Sequence, residues 1–311
     1  MCENARMPGA AHVRSMVLLL LTMTVWGSTF VVTKGLIELW PPFTLGFARV
    51  AIGALVMLPL AMVRHRREVR LPWPTIFFMA LFGVALYYMA FNYAMVYTSA
   101  SQGALVQSSI PAITALVAVV WLRERASTLR WLGIALSVVG VLIVFSGDAT
   151  EGPASALFGN VLMFASVLCW GLYTSLAKRV AGYDAIVITA CITGCGSLLL
   201  LPLAAHEIAT IGLQPLPMSG WLGVLYLGGI ASGVAYLLYN ASLRHLDASE
   251  VGVYTNLIPV VGVLTGVVLL GEPLSARAIV GGVVVMLGVW ITGRADPHPG
   301  PLPQAGEGTR A

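Results

Sequence analysis

Arg49 is the one charge that the sequence sets well inside an apolar run, about seven residues into the stretch 43–63 and so about 10 Å along it if helical. Lys34 closes the preceding run, 15–34. A cation in such surroundings has two readings. It can contact a ligand, in which case the field of Arg49 and Lys34 favours anionic or zwitterionic molecules and repels cations. Alternatively Arg49 is structural, held by backbone carbonyls and Glu38, and Lys34 is an interfacial anchor.

The uncharged polar residues nearby are written twice. At an offset of 148, Tyr88 and Asn92 fall on Tyr236 and Asn240, and Gln107-Ser108-Ser109-Ile110-Pro111 falls on Thr255-Asn256-Leu257-Ile258-Pro259. Ala100-Ser101, Glu124, Gly133 and Gly140 fall on Ala248-Ser249, Glu272, Gly281 and Gly288. An offset of 144 sets Trp26-Gly27 and Lys34 on Trp170-Gly171 and Lys178, so a loop differs by four residues. Pro111 and Pro259 each remove a helical hydrogen bond, and the polar residues one turn before each kink are placed to meet a ligand; a packing kink is the other reading. Tyr87, Tyr88, Tyr173, Tyr236, Tyr239 and Tyr254, with the two asparagines, offer hydrogen bonds among apolar walls, as a small polar metabolite requires. Read without a ligand, they form an interfacial belt or bond between helices. Ser28 and Thr29 are further candidates beside Trp26, while Trp26 and Trp170 themselves read as packing residues. Glu124 and Glu272 read as ion pairs that fix helix ends.

The chemistry that is missing narrows the function. All 13 carboxylates and five histidines fall in tails, loops or the ends of apolar runs. A membrane-embedded hydrolase needs an acid/base pair or metal ligands there, a cation exporter a buried carboxylate, and a proton pump a midplane relay. Cys2 lies in a tail, and Cys169, Cys191 and Cys195 sit in apolar runs without His or carboxylate neighbours, so they read as packing residues and not a metal site. No P-loop or dinucleotide turn appears. The expected partners are therefore a small-molecule substrate and the lipid bilayer, with no nucleic acid, ATP, metal or cofactor, and no enzymatic activity.

The elements that position these residues are membrane helices. The chain is 58% hydrophobic and 10% charged, with a mean hydropathy of +0.89. A bilayer core takes about 20 apolar residues per helix. Ten such spans are predicted: 15–34, 43–63, 74–97, 101–122, 129–147, 157–178, 184–204, 219–241, 249–270 and 274–293. The first run is too long for a signal peptide and lacks a cleavage site, so it is expected to be retained. With the N-terminus cytoplasmic, 14 of the 17 basic residues lie inside, which predicts an inner-membrane, multi-pass protein with both termini in the cytoplasm. The expected organisation is a cytoplasmic tail (1–14), a first five-helix repeat (15–147), a linker (148–157), a second repeat (158–293) and a disordered Pro/Gly-rich cytoplasmic tail (294–311).

Five spans per repeat force the second copy to run inverted through the membrane. The signature Trp26-Gly27-Ser28-Thr29-Phe30…Lys34, Arg49-Val50-Ala51, Thr98-Ser99-Ala100…Ile110-Pro111 and Leu122-Arg123-Glu124 followed by Gly133 resembles one EamA repeat. Its second copy is Trp170-Gly171…Lys178-Arg179, Asn240-Ala241-Ser242…Ala248-Ser249, Ile258-Pro259 and Leu270-Gly271-Glu272 followed by Gly281. Together they resemble the ten-helix exporters of the drug/metabolite transporter superfamily. The resemblance implies an all-α integral membrane protein of two inverted five-helix repeats that moves small metabolites, often amino acids, usually outward. Alternating access is then expected, with helices 1, 3, 4, 6, 8 and 9 lining the cavity. A multidrug exporter is the alternative reading, and a membrane-embedded enzyme or sensor the alternative from another class. The Gly262-x-x-x-Gly266 and Gly229-x-x-x-Gly233 spacings are explained by packing within the chain and leave a homodimer open.

Overall fold

The structure, a computed structural model, describes residues 10–64, 70–121, 123, 126–146, 153–242 and 254–294, without the side chains at 10, 11, 153, 154, 240 and 241. Among these residues every span is helical: α1 Ala10–Ile37, α2 Pro42–Arg64, α3 Trp73–Tyr97, α4 Ala100–Trp121, α5 Thr128–Phe145, α6 Pro153–Ala177, α7 Ala185–Ile211, α8 from Met218 to Ser242, α9 Leu257–Leu270 and α10 Ala276–Arg294. Nine of the helices are long and apolar enough to cross a membrane, and α9 is a shorter apolar helix. In lipid a helix satisfies every backbone group internally, which is why uninterrupted apolar runs take this form. Polar caps mark the ends. Ser127 accepts from the Arg130 amide at the start of α5, and Asp184 accepts from the Ile186 and Val187 amides at the start of α7. Glu124, the Asn240 side chain, the linker as far as 152 and most of both tails lie outside the described residues. α1 reaches back into the expected tail, to Ala10, and α7 runs on past the expected end at 204, to Ile211.

The repeat is legible in the packing. α5 and α10, the fifth helix of each copy, lie against each other through small residues. A Cβ built on Gly133 would meet the Gly288 carbonyl at 2.8 Å, and one on Gly140 the Gly281 carbonyl at 2.8 Å. Gly133 and Gly281 are repeat mates, as are Gly140 and Gly288, so the contacts cross as a two-fold axis requires. Ser137 donates to the carbonyl of its own mate, Val285, at 3.2 Å, which puts that axis between them.

Both copies interrupt their third and fourth helices in the same places. α3 widens into π-helix over Leu81–Leu86 and α8 over Tyr226–Val234, just before the mated Tyr88 and Tyr236. Such turns free a backbone carbonyl and re-aim the side chains that follow. α4 breaks into Ala100–Gln107 and Ile110–Trp121, and α9 is preceded by a turn at Asn256. Proline at 111 and 259 has no amide to bond the carbonyl four residues back, so each break falls about one turn upstream.

Candidate functional site

Arg49 and the tyrosines 87, 88, 173, 236 and 239 lie in an aromatic wall drawn from both halves. From α3, the Tyr87 ring lies 5.0 Å from Tyr88 and 5.2 Å from Trp170 of α6, which lies 5.0 Å from Tyr173. Across the halves, Trp26 of α1 lies 5.3 Å from both Tyr236 and Tyr239 of α8. Arg49 of α2 places its guanidinium 4.6 Å from the centre of the Tyr88 ring, a cation–π contact worth on the order of 1–2 kcal/mol when desolvated. It also lies within electrostatic reach of the Tyr87 and Tyr236 hydroxyls. The π turns make this assembly fit. Gly83, inside the first, leaves room for the Tyr173 ring, which a Cβ there would strike. The carbonyl of Ala231, inside the second, accepts from the Trp26 indole at 3.1 Å.

Arg49 is only 4% exposed, and its Nε has no hydrogen-bond partner. Among the described residues the guanidinium makes no hydrogen bond or ion pair. The expected Glu38 clasp does not form, because Glu38 is exposed at the end of α1. The Tyr88 and Tyr173 hydroxyls and the Trp170 indole N–H also have no hydrogen-bond partner among the described residues, and all three side chains are half-buried. A buried positive charge without a hydrogen-bonding partner is costly in a membrane unless something uses it.

Other expected residues are committed elsewhere. Asn92 is fully buried and donates to the Pro42 carbonyl at 3.0 Å, while its Oδ1 has no partner. Gln107 bridges the halves by donating to Ser166 of α6 at 2.8 Å, with the Tyr87 hydroxyl 3.5 Å from its Oε1. Ser108 donates to the Leu105 carbonyl and Thr29 to the Trp26 carbonyl, so both hydroxyls serve their own helices. Ser28 meets the Tyr226 hydroxyl at 2.5 Å. Tyr254 packs on Leu19 and Met23 of α1. Asn256 and Pro259 face a different space, an apolar crevice of about 830 Å³ between α9, α10 and Leu105 of α4. Pro111 is the second residue of the second piece of α4.

Three charged side chains clasp helix ends at the face where α1 finishes. Lys34 donates to the Met95 and Thr98 carbonyls, at 2.8 and 3.0 Å, and so closes the end of α3. Glu272 accepts from the Ala100 and Ser101 amides at 2.7 and 2.8 Å, which ties α9 to the start of α4 in place of the expected ion pair. Gly271, left-handed at φ 64°, turns the chain so that Glu272 points back. Its mate Arg123 also has a positive φ, 56°. Glu207 of α7, only 7% exposed, accepts from the Phe43 amide (3.2 Å), the Thr44 amide (2.7 Å) and the Thr44 hydroxyl (2.9 Å) at the start of α2.

With this geometry in hand, the model of the EamA-like transporter family matches residues 13–146 and 157–294, once for each half. The chain belongs to that family. An uncharacterized transporter of Archaeoglobus fulgidus is 28% identical over 282 residues, covering 89% of this chain and 98% of that protein. A Salmonella typhimurium protein named "Probable amino-acid metabolite efflux pump" is 28% identical, covering 88% and 93%. A solved crystal structure, 20% identical, superposes with a TM-score of 0.61 over 89% of this chain and 97% of that one, which supports the fold alone. The protein is thus an all-α, multi-pass membrane protein of the EamA-like transporters.

Two features of this EamA-like chain escaped sequence reasoning. Glu207 was expected beyond the end of its helix, whereas α7 carries it inside and buries it. The signal was the apolar pattern resuming at Ile208 and Ile211 before Gly212. The π turns left only the glycines Gly83, Gly228, Gly229 and Gly233 as a trace, and glycine has many other uses in membrane helices.

Proposed function

We propose that the protein is a secondary transporter in the inner membrane, with both termini cytoplasmic, that exports amino acids or similar small polar metabolites by alternating access between its inverted halves. The observation that carries this reading is the buried, unpartnered Arg49 in an aromatic wall built from α2 and α3 of one half and α6 and α8 of the other. A site shared between inverted repeats is where a transported ligand is reached from either side as the halves rock. The name of the Salmonella relative supports the substrate class. Arg49 disfavours organic cations, which separates this reading from a multidrug exporter. The positive-inside pattern supports the orientation.

The test is counterflow of a radiolabelled amino-acid panel in proteoliposomes, with and without a pH gradient. Saturable exchange of at least one member supports the reading, and exchange of cationic drugs alone would replace it. Flux of no compound in either class refutes it.

A further inference from the structure

We propose that Arg49, with the hydroxyl of Tyr88, binds the carboxylate of the transported molecule, and that the wall selects carboxylates with a flat apolar body whether or not they carry an amino group. This rests on the transporter reading and narrows its substrate. A guanidinium presents a planar fork of donors that matches a carboxylate, and here Nε is buried without a partner. Arg49 sits over the face of Tyr88 at 4.6 Å, and Tyr88 continues through Tyr87 and Trp170 to Tyr173 with successive ring separations of 5.0, 5.2 and 5.0 Å. An aromatic or planar body can lie along these rings towards Tyr173 while its carboxylate takes the guanidinium and the Tyr88 hydroxyl.

An ammonium group has no counterpart of that quality. Glu207 and Glu272 commit their oxygens to backbone amides at helix ends, and no carboxylate stands among the described residues of the wall. Losing the amino group should therefore matter little, and losing the carboxylate should matter greatly. Binding also ends the isolation of a buried charge, so the carboxylate contributes more here than at a solvated site.

The full-length protein is tested with compounds that share one aromatic body: phenylalanine, phenylpyruvate, N-acetylphenylalanine, phenylalaninamide and phenethylamine. Binding is read by quenching of tryptophan fluorescence, to which Trp26 and Trp170 report, and transport by inhibition of phenylalanine counterflow. The three carboxylates should bind within about tenfold of one another, and the amide and amine about tenfold to a hundredfold more weakly, the range expected for one charge-assisted interaction. Arg49→Gln should abolish that discrimination, and Arg49→Lys should restore part of it. Equal binding of acid and amide by the unaltered protein overturns the proposal, and so does an Arg49→Gln protein that keeps the preference. Binding of none of the five overturns it too. Selective binding without flux supports the site and counts against the transporter reading alone. If Arg49→Gln fails to fold, the acid-to-amide comparison on the unaltered protein decides.

Discussion

Replacing Glu272 by alanine removes both acceptors that hold the first turn of α4. The two bonds are short, 2.7 Å to the Ala100 amide and 2.8 Å to the Ser101 amide, and run to an ionised group at a helix N-terminus, where the helix dipole adds to them. Hydrogen bonds to a charge contribute about 1.5–3 kcal/mol each. Glu272 is half-buried, so water replaces part of what is lost, and about 2 kcal/mol is the expected net cost. That is about a 30-fold change in the local opening equilibrium. Gly266 makes the crossing possible, since a Cβ there would press on the Glu272 carboxylate at 2.7 Å. Hydrogen exchange followed by mass spectrometry in detergent reads the effect directly. Peptides covering 98–103 should exchange about 30-fold faster in Glu272→Ala, with a smaller gain in Glu272→Gln, which keeps one acceptor oxygen. Peptides at the start of α5, capped by Ser127, serve as the internal reference. Unaltered protection at Ala100 and Ser101, with α5 also unaltered, would show that the clasp contributes nothing and refute the reasoning.

Glu207→Ala should cost more, about 3 kcal/mol, because its three bonds are buried and leave the first turn of α2 unsatisfied; a thermal melt in detergent reads this as a clear drop in Tm. The Arg64–Asp184 pair, at 2.9 Å but substantially exposed on both sides, should contribute little. Arg64→Ala is expected to cost less than about 1 kcal/mol, whereas Asp184→Ala should cost about 1 kcal/mol more through the lost cap of α7, measured by the same melts. Gly27→Ala would bring a methyl within 2.6 Å of Val261 Cβ and 2.8 Å of the Ile258 carbonyl, so it should impair folding or transport. Gly171→Ala meets nothing closer than 3.3 Å and should be tolerated, a contrast that expression and counterflow can score.

What was legible in the sequence is what depends on pattern. Apolar runs locate the helices, and Pro111 and Pro259 locate the breaks. The partner of a side chain is different, because it depends on approach angles that pattern does not encode. One reading of Arg49 gives it Glu38 as a structural partner, yet Glu38 lies exposed in the turn after α1 while Arg49 turns inward, to Tyr88. Hydroxyls were equally opaque. Ser108 and Thr29 look like ligand groups in one dimension, but in a helix they reach the carbonyl three residues back, which competes with any ligand. Asn256 shares the sequence register of Ser108, but the turn before α9 presents it to the apolar crevice.

The differences between the copies carry as much meaning as the repeat. At α5 and α10 the mated contacts are nearly equal, so that pair is the symmetric part of the molecule. The crossings that carry Trp-Gly are not equal. α1 meets α9 so tightly at Gly27 that a Cβ would sit 2.6 Å from Val261, while at Gly171 of α6 a Cβ would come no closer than 3.3 Å to α4. Trp26 is tied to the Ala231 carbonyl, and its mate Trp170 keeps its indole N–H unspent beside Tyr173. Alternating access of the kind proposed needs this inequality. If each copy adopts in turn the conformation that the other holds, a single snapshot must show one crossing tight and the other loose about a shared axis. Arg49 adds a difference that no exchange of conformations can remove, because the second copy holds Thr193 or Ser197 at the corresponding positions. In the proposed cycle a carboxylate held by Arg49 would therefore stay with the first half.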